Sequence, residues 1–214
     1  MVASQIHLVR HGEVYNPDGV LYGRLPGFGL SDLGAKMAAA AATDLAERGR
    51  PIARLIASPL QRTQESAAPI AEAFGLPIDI DERIIEPANF FEGKRMRGKD
   101  GALRDIRNWP ALRNPLRPSW GEPFSSIAER MLAAIDDAYN SVESGDVVLV
   151  SHQLPIWMVH RALAGKSLAH DPRKRRCALS SITTLSRRGD GFTEVAYANP
   201  ALPLQADSKD VGAV

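Results

Sequence analysis

Two histidines, two arginines and a glutamate in this sequence each stand just beyond a short apolar run. Arg10 and His11 end the run IHLVRH and are followed by Gly12-Glu13. Ser58-Pro59-Leu60-Gln61-Arg62 follows ARLIA, Glu86 closes the stretch 77–85, and Ser151-His152 follows VVLV. Ligands of open α/β sheets bind beyond the carboxyl ends of the strands. If these runs are neighbouring strands, five side chains converge on one crevice: Arg10, His11, Arg62, Glu86 and His152. Two guanidiniums can grip a phosphoryl group, because their planar donor forks match its oxygens. One histidine can act as nucleophile, and a second can donate to oxygens as charge develops on them. A carboxyl group can protonate the leaving oxygen and then deprotonate water. Gly12 would let the backbone approach a phosphate closely.

The elements that must position these groups alternate along the chain. Residues 6–10 form a first strand, and the Ala-rich stretch 32–49 a helix between Asp32 and Gly49. A strand over 53–58 precedes a helix over 59–74 with apolar residues at helical spacing, and a third strand lies within 77–85. Residues 122–143 put Phe124, Ile127, Met131, Ile135, Ala138 and Val142 on one face, the clearest amphipathic pattern in the chain. The all-apolar 147–150 suits a central parallel strand buried on both faces. A helix over 154–164 follows, and then β-like runs at 179–186 and 191–197 around Arg188-Gly189-Asp190-Gly191, a hairpin signal. The expected fold is a three-layer α/β/α sandwich, its sheet mainly parallel with an antiparallel edge. One domain spans 1–200, with an inserted cap over about 87–121 and a loose, polar tail over 201–214.

Composition excludes several classes. The 214 residues carry 26 basic and 25 acidic groups, one cysteine, and 44% hydrophobic residues. These values are those of a globular domain, not of collagen, a coiled coil or a disordered chain. Cys177 alone can form neither an internal disulfide nor a multi-cysteine metal site, which favours a cytoplasmic setting. The N-terminus lacks the features of a signal peptide, and no run is long enough for a membrane span.

The site residues also carry a resemblance. Leu8-Val9-Arg10-His11-Gly12-Glu13 resembles the signature of the histidine phosphatase superfamily, in its phosphoglycerate-mutase-like branch. Asn16 after the histidine, Gly23-Arg24 before Leu30-Ser31-Asp32-Leu33-Gly34, and Ser58 to Arg62 with Ser66-Ala67 continue the match. So do Glu86 with Phe91-Glu92-Gly93, Gly121-Glu122 with Arg130, and Val148 to His152. The resemblance implies His11 as phosphoryl acceptor, Arg10, Arg62 and His152 as the phosphate pocket, and Glu86 as proton donor. It implies no metal or organic cofactor. It implies a phosphatase for a small anionic phosphorylated metabolite, with a phosphomutase and a catalytically weak phosphate-ester or protein-binding module as the alternatives. Monomers, dimers and tetramers all occur in the family, so a homodimer is one assembly it allows. Gln153 stands where members carry a small residue, Gly27 and Gly29 replace an Asp and a Pro, and Asn89-Phe90-Phe91 replaces a glycine. These departures fall on the pocket rim and bear on substrate choice.

Bland readings apply elsewhere. His7, His160 and His170 read as structural histidines, and Glu13 as a support for the site. Segment 93–119 holds eight Lys or Arg against Asp100 and Asp105, a local net charge of +6. It reads as a lid that steers an anionic substrate, with Arg95 and Arg97 on the substrate side. Nucleic acid is the weaker reading, since no stacking platform accompanies the charge and Trp109 and Trp120 read as packing residues. The cluster 173–176 reads as a solvated turn that could reach the pocket rim. The expected substrate-binding rim is Asn16, Gly23, Arg95, Arg97 and Gln153.

Overall fold

A computed structural model describes residues 2–96, 101–112, 120–208 and 210. Its strands are β1 (Ile6–Arg10), β2 (Ile52–Ala57), β3 (Ile78–Ile80), β4 (Asp146–Ser151), β5 (Ile182–Arg188) and β6 (Gly191–Ala198). Its α-helices are α1 (Asp32–Glu47), α2 (Gln61–Phe74), α3 (Phe124–Asn140) and α4 (Gln153–Leu163). The six strands form one sheet in the order β3-β2-β4-β1-β5-β6. β3, β2, β4 and β1 run parallel, and β5 and β6 add an antiparallel edge.

Strand β4 explains the layering. Its residues are all buried, and successive side chains point to opposite faces. Val147 and Leu149 pack with Ile127, Met131 and Ile135 of α3 and Trp157 and Met158 of α4. Val148 and Val150 pack on the other face with Ala41 and Leu45 of α1 and Ala67 and Ile70 of α2. A sheet covered on both faces needs an apolar run with no alternation, which VVLV supplies.

Helix ends follow local chemistry. The Ser31 hydroxyl accepts from the Gly34 amide at 2.9 Å and donates to Glu13 Oε1 at 2.8 Å, capping α1. Glu13 therefore serves α1. Helix α2 ends at Gly75, whose φ of 64° is left-handed.

The third strand, Ile78–Ile80, lies within the expected 77–85, and a 3-10 turn, Glu82–Ile84, carries the chain onward to Glu86. Of the tail expected to be loose, residues 201–207 pack on the fold. Ala201 is buried beside Met37 and Leu179, Leu204 packs on them, and Leu202–Asp207 is a 3-10 turn. Trp109 is exposed, while Trp120 packs with Leu21, Phe91, Met96 and Ala102 in a small core under the basic insertion. Within that insertion Lys94 is not a free charge. It bonds Asn108 Oδ1 at 2.9 Å and lies over the Phe90 ring. Among the described residues, no helix is long and apolar enough to cross a membrane.

Candidate active site

Strand register assembles the site. Arg10 pairs with Ser151 across β1 and β4, so the next residues, His11 and His152, leave the sheet side by side. Their rings meet edge to face with centroids 5.2 Å apart. Ala57 pairs with Val150, which puts Ser58 beside His152, and its hydroxyl lies 2.8 Å from His152 Nε2. The chain then turns into α2 and delivers Arg62 from its first turn.

The histidine tautomer follows from one bond. His11 Nδ1 lies 2.7 Å from the Gly12 carbonyl oxygen, which can only accept. Nδ1 therefore carries the proton, and Nε2 presents a lone pair. Burial, then the charges of Arg62 and Arg10, hold His11 well below the ordinary histidine range. The neutral form of His11, with its free Nε2 lone pair, is thus favoured. The close contact that Gly12 permits is with α1: a Cβ on residue 12 would stand 2.3 Å from the Gly34 carbonyl oxygen. The Gly12 amide donates to Ser66 Oγ at 3.1 Å, tying the loop to α2.

The cations are buried. Arg10 and Arg62 are 0% and 1% exposed. Arg62 Nη2 donates to the Gly23 carbonyl at 2.8 Å, and its guanidinium lies 4.8 Å from the centre of the Tyr22 ring. Burial lowers the Arg62 pKa, and burial pushes the Tyr22 phenol up to about 12. Arg10 Nη1 donates to the Cys177 carbonyl at 2.7 Å. Among the described residues, Arg10 Nε, Arg62 Nε and His152 Nδ1 are buried with no hydrogen-bond partner. The two guanidiniums act electrostatically on His11, and unpartnered buried polar nitrogens of this kind suit an anion, since a buried unsatisfied donor is costly.

Glu86 closes the other side, with Oε2 3.6 Å from His152 Nδ1. Burial raises its pKa, and the charges of Arg62, Arg175, Arg10 and Arg130 oppose that rise. Its loop is braced from behind. Arg24 Nε donates to the Glu86 carbonyl at 2.6 Å, and Arg130 Nη1 donates to the Arg83 carbonyl at 2.5 Å. Glu122 takes two bonds from Arg130 at 2.8 and 3.0 Å.

The family's sequence profile, histidine phosphatase superfamily (branch 1), matches residues 6–200. The chain belongs to that superfamily. An uncharacterized protein of Mycobacterium tuberculosis, Rv0525, is 56% identical over 198 residues, covering 92% of this chain and 97% of that protein. Phosphoserine phosphatase 1 of Hydrogenobacter thermophilus is 30% identical over 165 residues, covering 76% and 77%. The structure of a mycobacterial glucosyl-3-phosphoglycerate phosphatase superposes with a TM-score of 0.69 at 24% identity, covering 89% and 96%. This histidine phosphatase superfamily member is therefore an enzyme.

The expected rim divides. Gly23 supports Arg62 through its carbonyl, and a side chain there would collide with Glu92. Asn16 spends both ends of its amide on Val20, ordering its own loop. Arg95 is exposed and stands 3.5 Å from Asp18. Arg97 lies outside the described residues, as do Lys99, Arg113 and Arg117. Gln153 sits at the start of α4, with Nε2 3.4 Å from the Cys177 carbonyl and Oε1 accepting from Arg175 at 3.2 Å.

Three residues join the site that sequence reasoning did not place there: Tyr22, Arg175 and Asp210. Of the four cations at 173–176, Arg173 is held outward by Asp171, and Arg176 pairs with Glu194. Arg175 turns inward, and burial pushes it down to about 10 against the opposing charge of Glu86. The reading of 173–176 as a solvated turn fails at this one residue. His7, by contrast, is structural as expected, held between Thr184 Oγ1 at 3.0 Å and Asp146 Oδ2 at 3.2 Å. Among the described residues, no group of three His, Cys, Asp or Glu could hold a metal ion.

Proposed function

We propose that this chain is a phosphomonoester hydrolase that works through a phosphohistidine on His11, without a metal, on a small anionic metabolite. The observation that carries the reading is the tautomer: Nδ1 donates to Gly12, which leaves Nε2 with a free lone pair on a ring beside His152 and under the charges of Arg62 and Arg10. In the first step, Nε2 forms the bond to phosphorus as the ester P–O bond breaks. Glu86, whose protonated form burial favours, gives its proton to the leaving oxygen. In the second step, water attacks phosphorus and gives a proton to Glu86. The P–N bond breaks, and its electron pair returns to His11. The buried guanidiniums and His152 balance charge on the transferring group throughout.

Two features support an anionic leaving group. Arg175 adds a buried guanidinium near Glu86, beyond the two that face the phosphoryl group. The phosphatases among the relatives, named for phosphoserine and glucosyl-3-phosphoglycerate, are consistent with a small phosphorylated metabolite. The test is phosphate release from a panel of phosphorylated metabolites in chelator-treated buffer, with His11→Ala alongside. The expected result is release by the wild type and none by the folded variant. Isomerised product without release would instead indicate a phosphomutase.

A further inference from the structure

Asp210, near the C-terminus, meets Arg10 at the candidate phosphate pocket. Asp210 accepts from Arg10 Nη1 at 2.9 Å and from Nη2 at 2.6 Å, a two-pronged carboxylate–guanidinium pair. With Cys177 also bonded to Nη1, both terminal nitrogens of Arg10 are engaged. Burial lowers the Arg10 pKa, but the charge and hydrogen bonds of Asp210, with Cys177 and Tyr22, together hold it above its ordinary value.

We propose that Asp210 is a built-in competitor for the phosphoryl site, a carboxylate that incoming phosphate or substrate must displace from Arg10. The inference rests on the phosphatase reading of that site. Carboxylate and phosphoryl oxygens seek the same donors in the same geometry. A phosphoryl group that used the unpaired Nε edge of Arg10 would still meet the Asp210 charge at close range, in a site of low dielectric. On either edge, Asp210 weakens phosphate binding.

The surroundings suit a releasable latch. Ala201 and Leu204 anchor the segment in an apolar cluster, and Gln205 Nε2 donates to the Leu179 carbonyl at 3.3 Å. Ser208 still bonds Gln205, and Asp210 stands two residues farther on. The Asp210 side chain is 39% exposed, against 0% for Arg10. Asp210 can regain water by moving outward, whereas Arg10 cannot. Asp210 also borders a cavity of about 370 Å³ with Gln153, Arg175, Tyr197 and Gln205, so the same movement widens the approach on that side. The latch keeps a buried guanidinium neutralised between turnovers and sets a threshold that a dianionic phosphoryl group passes more readily than a monoanion.

The experiment compares full-length wild type, Asp210→Asn and Asp210→Ala. The readouts are calorimetric Kd for inorganic phosphate, Ki of phosphate against p-nitrophenyl phosphate hydrolysis, and the thermal midpoint as a check on folding. A half-exposed ion pair contributes about 1 kcal/mol, so both variants should bind phosphate about fivefold more tightly. Equal or weaker binding by the folded variants would overturn the competitor and make Asp210 a support for Arg10. Failure of all three proteins to bind phosphate would overturn both this inference and the phosphatase reading. Binding that is equal in all three, with hydrolysis intact, would overturn this inference alone.

Discussion

Replacing Glu86 by Gln keeps the side chain's size and removes its proton chemistry. Glu86 is 12% exposed, stands 3.6 Å from His152, and burial raises its pKa, which favours the protonated form that the proposed step uses. General acid catalysis contributes about 10²- to 10⁴-fold, equivalent to about 2.7–5.5 kcal/mol of barrier. That loss should appear in kcat/KM for alkyl phosphomonoesters, whose leaving oxygen needs a proton. It should largely vanish for p-nitrophenyl phosphate, whose leaving group departs as a stable anion. The wild-type profile for alkyl esters should fall on the alkaline side as Glu86 ionises, and the variant should lack that limb. Stability should move the other way. A carboxyl raised in the native state stabilises fully below its ordinary pKa, and that contribution is lost as pH rises through the raised value. At neutral pH the ionised group is a burden, so Glu86→Gln should equal or exceed the wild type in thermal midpoint. Steady-state kinetics across a leaving-group series, with thermal melts at neutral pH, reads both. Equal losses on both ester classes, or a marked loss of stability, would refute the proton-donor assignment.

Two further outcomes concern the scaffold. Gly12→Ala would put a Cβ 2.3 Å from the Gly34 carbonyl, and the backbone beside His11 must shift by about 1 Å to relieve the clash. The expected cost is about 10²-fold in kcat and about 1–3 kcal/mol of stability; wild-type turnover with an unchanged melt would refute it. Asp146, bonded by Arg50 and His7, is lowered to about 2 by those partners despite its burial. Its contribution, about 2 kcal/mol, should be present above pH about 4 and fade as pH falls toward 2. Asp146→Asn should therefore narrow the gap in stability between neutral and acidic solution, measured by denaturant titration at each pH.

What the sequence made legible follows periodicity and position. VVLV announced a strand buried on both faces, and the α3 stripe announced its packing partner. The residues just past these strands lie together because β1 and β4 are neighbours and β2 flanks β4. Glu86 does not directly follow a strand: β3 ends at Ile80, and the Glu82–Ile84 turn carries the chain to Glu86 beside His152. Arg175 was hidden in a run of four cations. Composition cannot say which of them turns inward, whereas the Asp171-capped 3-10 turn Pro172–Lys174 sets that direction. The tail looked polar because its anchor is only Ala201 and Leu204, and Asp210 carried no local sign that its partner lay 200 residues away. Asn16 fitted a motif, but its amide is used by its own loop.

The most direct measurement is trapping of the covalent intermediate. The enzyme would be mixed with a phosphomonoester, quenched in alkali (phosphohistidine is acid-labile), and mapped by peptide mass spectrometry. The account predicts a phosphoryl group on His11 Nε2 that forms within one turnover, decays with phosphate release, and is absent from His11→Ala. Steady turnover with no label on His11, or turnover retained by His11→Ala, would contradict it.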